Sequence, residues 1–285
     1  MPGGEAKSVK ILSATHYVMF ATALLLGSGW SPSGHGASQK LVLTGASTIA
    51  PLAGELARRF ESLHPATRID VQTGGSARGI NDVRNGVADI GMVSRALKPE
   101  ERGLHAHAIA LDGVGIILHG SNPIAALRRQ QIIDIYTGKI VNWKDVGGQD
   151  ARITVVNKAE GRSTLELFLS YLKLKNSDIR PHVIIGDNVQ GIKTVAGNTN
   201  AIGYVSIGTA EYETGHGTPI KLLPLDSITA SVASVRNGTF PLSRPLNLVT
   251  RGMPKGLVRD FIKFARSEQV HDLVKAQYFV PISVR

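Results

Sequence analysis

The sequence predicts an α/β fold in which helices pack on a largely parallel sheet. Short apolar strand patterns alternate with amphipathic helix patterns, glycine-rich turns join them, and no internal repeat of about 20–50 residues is visible. The chain has 285 residues, of which 42% are hydrophobic and 19% are charged, so it is long enough for one large core or two modest ones.

The first part of the fold is predicted between residues 41 and 93. Strands are expected at 41–43, 68–72 and 88–93, and helices at 51–63 and 80–87. The first helix carries Leu52, Leu56 and Phe60 at a spacing of four residues, which places them on one face. The alternation of strand and helix favours parallel pairing of the strands.

The later part of the chain continues the same alternation. Strands are expected at 114–118, 153–156, 201–205 and 246–249, and helices at 130–135, 165–174 and 257–265, with another helix from Val270. A loop rich in glycine, with one tryptophan, covers 137–148. These elements are enough for a second α/β layer beside the first.

The N-terminus has the composition of a secretory signal peptide. Lys7 and Lys10 precede an apolar run at 17–26, and the small-residue pattern Gly34-His35-Gly36 follows. The run is about ten residues long, short of the roughly 20 that span a bilayer. We therefore expect residues 1–36 to be removed and the protein to be periplasmic; an uncleaved N-terminal anchor is the alternative.

Charge and cysteine content narrow the classes of function. The 32 Lys and Arg residues against 22 Asp and Glu give a net charge of +10, which favours an anionic partner. Zero cysteines exclude a disulfide framework, a thiol nucleophile and a lipid-anchored lipoprotein. An aromatic content of 5% and dispersed basic residues disfavour nucleic-acid binding by base stacking.

Three glycine-containing turns share one design. The turns at 45–48, 74–76 and 161–164 each follow a predicted strand, precede a predicted helix and carry Ser or Thr. Glycine permits close approach to a ligand, and a helix N-terminus presents unpaired N–H groups to an oxyanion. Each turn alone is compatible with simple helix capping. The three together, with Arg95, Lys158 and Arg162 on or beside such loops, predict an oxyanion site.

Eight segments resemble the phosphate-binding protein family of the phosphate-specific ABC transporter, within the type II periplasmic solute-binding superfamily. They lie at 45–48, 74–79, 88–95, 110–113, 135–148, 201–205, 240–246 and 280–282. The most specific is 135–148, which contains Asn142-Trp143. The resemblance covers essentially the chain from Leu41 to Ile282.

This resemblance implies a two-lobed type II periplasmic binding protein. Each lobe would be a mixed, mostly parallel sheet flanked by helices, and two hinge crossovers would join the lobes near 118–121 and 244–245. Lobe 1 would comprise 37–118 plus 245–285, and lobe 2 would comprise 119–244. The lobes would close over a dehydrated oxyanion.

The resemblance also implies a set of ligand-binding positions. Carried over position by position, they are Thr48 and the Ile49 amide with Ser47 beside them, Ser76, Ser94, and the turn Arg162-Ser163-Thr164. The family often has an aspartate where Arg95 stands, an arginine where Lys158 stands and a serine where Arg162 stands. We therefore expect a more cationic site. Asp112 is the candidate substitute for the missing proton acceptor, with a solvated turn residue as the alternative.

The function that follows from the resemblance is binding of phosphate or a similar tetrahedral oxyanion, with high affinity, and delivery to the permease subunits of an inner-membrane ABC transporter. The protein would be a monomer without cofactor, metal or catalytic residues; His105 and His107 lack a third ligand nearby. An oxyanion-sensing subunit of a signalling system is the alternative, and a phosphoryl-transfer enzyme is a further one.

Overall fold

A computed structural model of the chain describes residues 39–282, which form ten strands and nine α-helices. The strands are β1 (Gln39–Gly45), β2 (Thr67–Thr73), β3 (Ile90–Val93), β4 (Leu104–His119), β5 (Thr154–Lys158), β6 (Val183–Ile185), β7 (Ala201–Ser206), β8 (Ile220–Leu222), β9 (Ser243–Arg251) and β10 (Val280–Pro281). The helices are α1 (Ala50–Leu63), α2 (Ser76–Arg84), α3 (Arg129–Tyr136), α4 (Ser163–Leu172), α5 (Asn188–Ala196), α6 (Ile207–Gly215), α7 (Val232–Arg236), α8 (Gly256–Ala265) and α9 (His271–Ala276). The signal peptide expected at 1–36 lies outside the described residues.

The strands form one mixed sheet in the order β2-β1-β3-β9-β4-β7-β5-β6, with β8 and β10 paired to β4. Pairing is parallel on the two flanks, where β1 lies between β2 and β3 and β5 lies between β6 and β7. Every antiparallel pair among the strands β1 to β10 includes β4 or β9. The prediction of an α/β fold is confirmed. The antiparallel pairing in the centre of the sheet was not indicated by the alternation of strands and helices.

Strand β4 is much longer than the predicted strand at 114–118. It has 16 residues, and its first part, up to Gly113, pairs with β9, whereas the part from Val114 pairs with β7 and β8. The first half of β4 is rich in small and polar residues, so the sequence alone shows no strand pattern there. This segment forms a strand because it pairs with β9. Strand β4 therefore passes through both halves of the sheet.

The two largest of the four hydrophobic clusters in the described residues lie along this sheet. One contains Leu43, Phe60 and Phe261, and the other contains Trp143 and the aromatic side chains around it. In the second core the rings of Phe168 and Tyr204 stack with centroids 3.9 Å apart. The chain thus builds a core on each flank of the sheet, and the long central strands connect them.

The cores also bear on where lobes would divide. Along β4, Ala110 packs in the first core, whereas Val114, Ile116 and Leu118 pack in the second, so the strand changes core between residues 110 and 114. On the return through β9, Leu242 belongs to the second core and Leu246 to the first, which brackets the expected crossover at 244–245. The two-lobed arrangement itself stays a prediction.

The topology brings several strand ends to one place. Strands β1, β3 and β5 end at residues 45, 93 and 158, and helices α1, α2, α4 and α5 begin close to those ends. In sheets with parallel strands, ligands bind at the carboxyl ends. Between residues 39 and 282 no helix combines the length and apolar character that a membrane crossing needs.

Candidate functional site

A set of polar side chains is buried where the two cores meet. These side chains belong to residues with 0–4% of their surface exposed, and they are Thr48, Ser76, Ser94, Asp112, Lys158, Ser163, Thr164, Asn188 and Arg244. Burying polar groups is unfavourable unless each finds a partner, so such a concentration requires an explanation in its contacts. We call these nine residues the polar cluster.

Three serine hydroxyls form the centre of the polar cluster. The Ser76 hydroxyl donates to Ser163 Oγ at 2.9 Å, and Oγ of Ser94 and Oγ of Ser163 lie 2.5 Å apart. The Ser94 backbone N–H donates to Ser76 Oγ at 3.2 Å. Ser76 and Ser163 are the first residues of α2 and α4, so the two helices point their N-termini at this centre.

A buried arginine connects these hydroxyls to the threonines. Nη1 of Arg244 donates to Thr164 Oγ1 at 3.0 Å and to Ser94 Oγ at 3.4 Å, and Nη2 donates to Thr48 Oγ1 at 3.3 Å. The guanidinium also pairs with Asp112, whose Oδ2 lies 2.9 Å from Nη2 and 3.2 Å from Nε. This ion pair is almost completely buried, which fixes the orientation of Arg244.

A lysine and an asparagine complete the polar cluster. The ammonium group of Lys158 donates to Asn188 Oδ1 at 2.9 Å, and Asn188 Nδ2 donates to Thr48 Oγ1 at 3.0 Å. Burial, together with the nearby charges of Arg244 and Arg162, lowers the pKa of Lys158 to about 7, and the charge of Asp187 opposes this shift. An anion beside this ammonium would restore its charge.

Three helix starts around the polar cluster have no side-chain cap. The N-cap residues of α1, α2 and α4 are Ile49, Gly75 and Arg162, and none caps its helix with a side-chain hydrogen bond. A helix N-terminus carries the equivalent of about half a positive charge, which stabilises an anion. Three such termini therefore converge on one buried place.

Two glycines allow the surrounding loops to come this close. Gly75 has φ of 93°, and a Cβ there would lie 2.6 Å from the carbonyl oxygen of Gly161. The Ala77 N–H donates to this same carbonyl at 3.2 Å. Gly45 has φ of 134°, and a Cβ there would lie 2.3 Å from the carbonyl oxygen of Met92. Gly45 and Gly75 are thus required both by steric contact and by backbone conformation.

The structure brings together seven of the predicted site residues and leaves the others outside the polar cluster. The seven are Thr48, Ser76, Ser94, Asp112, Lys158, Ser163 and Thr164. Ser47 is half-buried and takes no part in these side-chain hydrogen bonds, and the Ile49 N–H bonds to Ala46 O at 3.1 Å. Arg162 is half-buried, and its buried Nε has no partner among the described residues.

Arg95 and Asp112 have contacts that differ from those expected. The guanidinium of Arg95 turns away from the hydroxyls: it pairs with Glu101 at 2.7 Å and with Glu166 at 2.7 Å. Two carboxylates therefore already satisfy this cation. Asp112 was expected to accept a ligand proton, but its carboxylate accepts from Arg244 and from the Gly208 N–H. Its contacts make it the residue that positions Arg244.

Sequence reasoning missed Arg244 and Asn188 as site residues. Arg244 stands at the crossover expected at 244–245, where no binding role was assigned to it; a lone arginine between Leu242 and Leu246 was the available signal. Asn188 begins α5, a helix that was not predicted. Asp187, which caps α5 by accepting from the Gln190 N–H, was the available signal for that helix start.

The fold and the polar cluster define a ligand-binding protein in which buried hydroxyl, ammonium and guanidinium groups meet between two α/β cores. A family model described as the PBP superfamily domain matches residues 31–269, and the chain belongs to that superfamily. Within residues 39–282 there is no group of three or more His, Asp or Glu side chains placed to hold a metal ion.

Similar proteins agree with this assignment. The phosphate-binding protein PstS of Bacillus subtilis (strain 168) is 28% identical over 253 residues, which cover 87% of this chain and 82% of that protein. A crystal structure from Clostridium perfringens, described as a phosphate ABC transporter substrate-binding protein with bound phosphate, has a TM-score of 0.79 and 32% identity, covering 86% of this chain and 100% of that one. An ABC-type phosphate transport receptor from Vibrio cholerae has a TM-score of 0.69 and 29% identity, with coverage of 86% and 100%.

Proposed function

We propose that this protein binds inorganic phosphate reversibly in the polar cluster. The observation that carries the proposal is the meeting of hydroxyls from β-strand ends and helix starts with the guanidinium of Arg244. Ser76 and Thr48 come from the side of the first core, and Ser163 and Thr164 start a helix of the second. Arg244 hydrogen-bonds to residues from both sides.

The chemistry of these groups suits a tetrahedral oxyanion. Hydroxyls, backbone N–H groups, an ammonium and a guanidinium all donate hydrogen bonds, and bonds to a charged acceptor each contribute about 1.5–3 kcal/mol. Arg244 is neutralised by Asp112, so Lys158 and the helix N-termini supply the remaining positive potential. Several such bonds offset the cost of removing the anion from water.

The relatives support a role in transport. The proteins from Clostridium perfringens and Vibrio cholerae are described as parts of phosphate ABC transport, and both cover this chain over 86% of its length. By this analogy the chain is exported under the direction of residues 1–36, works as a periplasmic monomer and delivers its ligand to a permease. Binding and release need no bond-breaking step, so the proposed role is not enzymatic.

Titration calorimetry of the full chain with inorganic phosphate tests the binding function. We expect one site per chain with a Kd in the micromolar range or tighter, and Ser76→Ala should weaken binding at least about tenfold, since a direct donor is lost. Ser62→Ala is the matched control, because Ser62 is exposed on α1 and bonds only to its own helix. Heat from nucleic acid or polyphosphate but none from phosphate would contradict the proposal.

A further inference from the structure

The carboxylates around the polar cluster already have partners. Asp112 accepts at Oδ2 from Nε and Nη2 of Arg244 and at Oδ1 from the Gly208 N–H. Asp187, whose negative charge raises the pKa of Lys158, uses Oδ1 to cap α5. The carboxylate in direct contact with the hydroxyl-bonded guanidinium is thus that of Asp112, and both of its oxygens already accept hydrogen bonds.

The groups that line the cluster instead are hydroxyls. A hydroxyl both donates one hydrogen bond and accepts others, whereas an ionised carboxylate only accepts. Ser163 Oγ illustrates this adaptability, since it accepts from the Ser76 hydroxyl while it also shares a proton with Ser94 Oγ. A hydroxyl can therefore accept a hydrogen bond from a ligand oxygen that carries a proton, and it can donate a hydrogen bond to a ligand oxygen that carries none.

This difference determines which anions a buried site rejects. A carboxylate acceptor rejects an anion without a proton, because the two negative oxygens then face each other in a medium with little water. A hydroxyl rotates its proton toward the anion and exerts no such repulsion. Arg244 and Lys158 donate hydrogen bonds to an anion whether or not that anion carries a proton.

We propose that the polar cluster binds tetrahedral oxyanions irrespective of whether they carry a proton, so that it accepts sulfate as well as phosphate. This inference rests on the proposed function and specifies its ligand class. The Asp112 carboxylate is paired with Arg244. The serine and threonine hydroxyls are therefore the groups that would contact a ligand proton.

Titration calorimetry of the full chain with phosphate and with sulfate at about pH 8 tests the inference. We expect the two Kd values to agree within about thirtyfold, whereas a site built around an acceptor for the ligand proton discriminates by about 10⁴-fold. A larger ratio in favour of phosphate overturns this inference and leaves the proposed function standing. Binding of neither anion overturns the proposed function itself.

Two variants refine the test. Ser94→Asp places a carboxylate beside Nη1 of Arg244, which lies 3.4 Å from the native hydroxyl, and should shift the ratio toward phosphate at least about a hundredfold. Ser62→Asp adds the same charge on exposed α1 and should leave the ratio unchanged. If Asp112 were the acceptor after all, Asp112→Asn would relax an initially strong preference for phosphate, and that result would also overturn the inference.

Discussion

Removal of Arg244 separates its binding role from its structural role. The side chains of Arg244 and Asp112 are 0% and 1% exposed and lie 2.9 Å apart, so Arg244→Met leaves a buried carboxylate without its partner. Breaking such a pair costs about 3–5 kcal/mol of unfolding free energy. Asp112→Asn should also destabilise the fold, since it leaves Arg244 charged and uncompensated. The double variant should be more stable than the sum of the two losses by about 2 kcal/mol or more.

Binding should respond differently to the same variants. Arg244→Met and the double variant lose the guanidinium that reaches Thr48 and Thr164, so phosphate affinity should fall at least a hundredfold, or about 2.7 kcal/mol. Asp112→Asn keeps the guanidinium and should bind within about tenfold of the unmodified chain. Urea unfolding measures stability, titration calorimetry measures binding, and circular dichroism verifies the fold. Unchanged phosphate affinity in Arg244→Met would refute the placement of the site, and additive stability losses would refute the pairing.

Three further predictions follow from single contacts. Burial lowers the pKa of Lys158 to about 7, so phosphate binding above this pH requires proton uptake by Lys158, whereas an arginine at this position stays charged. The phosphate affinity of the unmodified chain, divided by that of Lys158→Arg, should therefore fall roughly tenfold per pH unit above about 7. A ratio that does not change with pH would contradict this prediction. Gly75→Ala should weaken phosphate binding at least about tenfold in calorimetry, since its Cβ meets a backbone oxygen at 2.6 Å. The control is Gly86→Ala, which also lies at positive φ but in open space and should leave binding intact. Equal effects of the two variants would indicate that backbone strain alone weakens binding. Glu166→Gln should raise the phosphate dissociation rate about threefold to tenfold in stopped-flow displacement, because the ion pair between Arg95 and α4 is lost. The effect should be clearest at low salt. An unchanged rate would show that this ion pair does not stabilise the ligand-bound arrangement of the polar cluster.

The hydroxyls of the polar cluster were predictable because their signals are local. Thr48, Ser76 and Thr164 each lie in a turn that follows a strand and starts a helix, and that pattern can be recognised within a few residues of sequence. Parallel strands then bring such turns to one edge of the sheet. The prediction of an oxyanion site needed only these two steps.

The charged residues were harder to place because their partners are remote. Arg244 and Asp112 are separated by 132 residues in the sequence, and only the pairing of β9 with β4 sets them side by side. Arg95 pairs with Glu166 across 71 residues, and nothing near Arg95 in the sequence reveals that this carboxylate neutralises it. Sequence position thus indicated a cation near the three turns, whereas tertiary structure decides that Arg244, and not Arg95, belongs to the polar cluster.

Several strands and one helix escaped prediction because their formation also depends on remote partners. The first half of β4 is rich in small and polar residues, and β6 and β8 have only three residues each. These segments form strands because they pair with neighbouring strands of the sheet. Helix α5 was overlooked because its nine residues include a glycine and β-branched residues, which lower its intrinsic helix propensity. Asn188, at its start, was lost with it.

A crystal structure of the full chain grown with inorganic phosphate tests the central claim most directly. The account predicts one tetrahedral anion within hydrogen-bond distance of Ser76, Ser94, Thr164 and the guanidinium of Arg244, with the Asp112 pair intact. Density for the anion at another place, with these side chains still bonded only to one another, would contradict it.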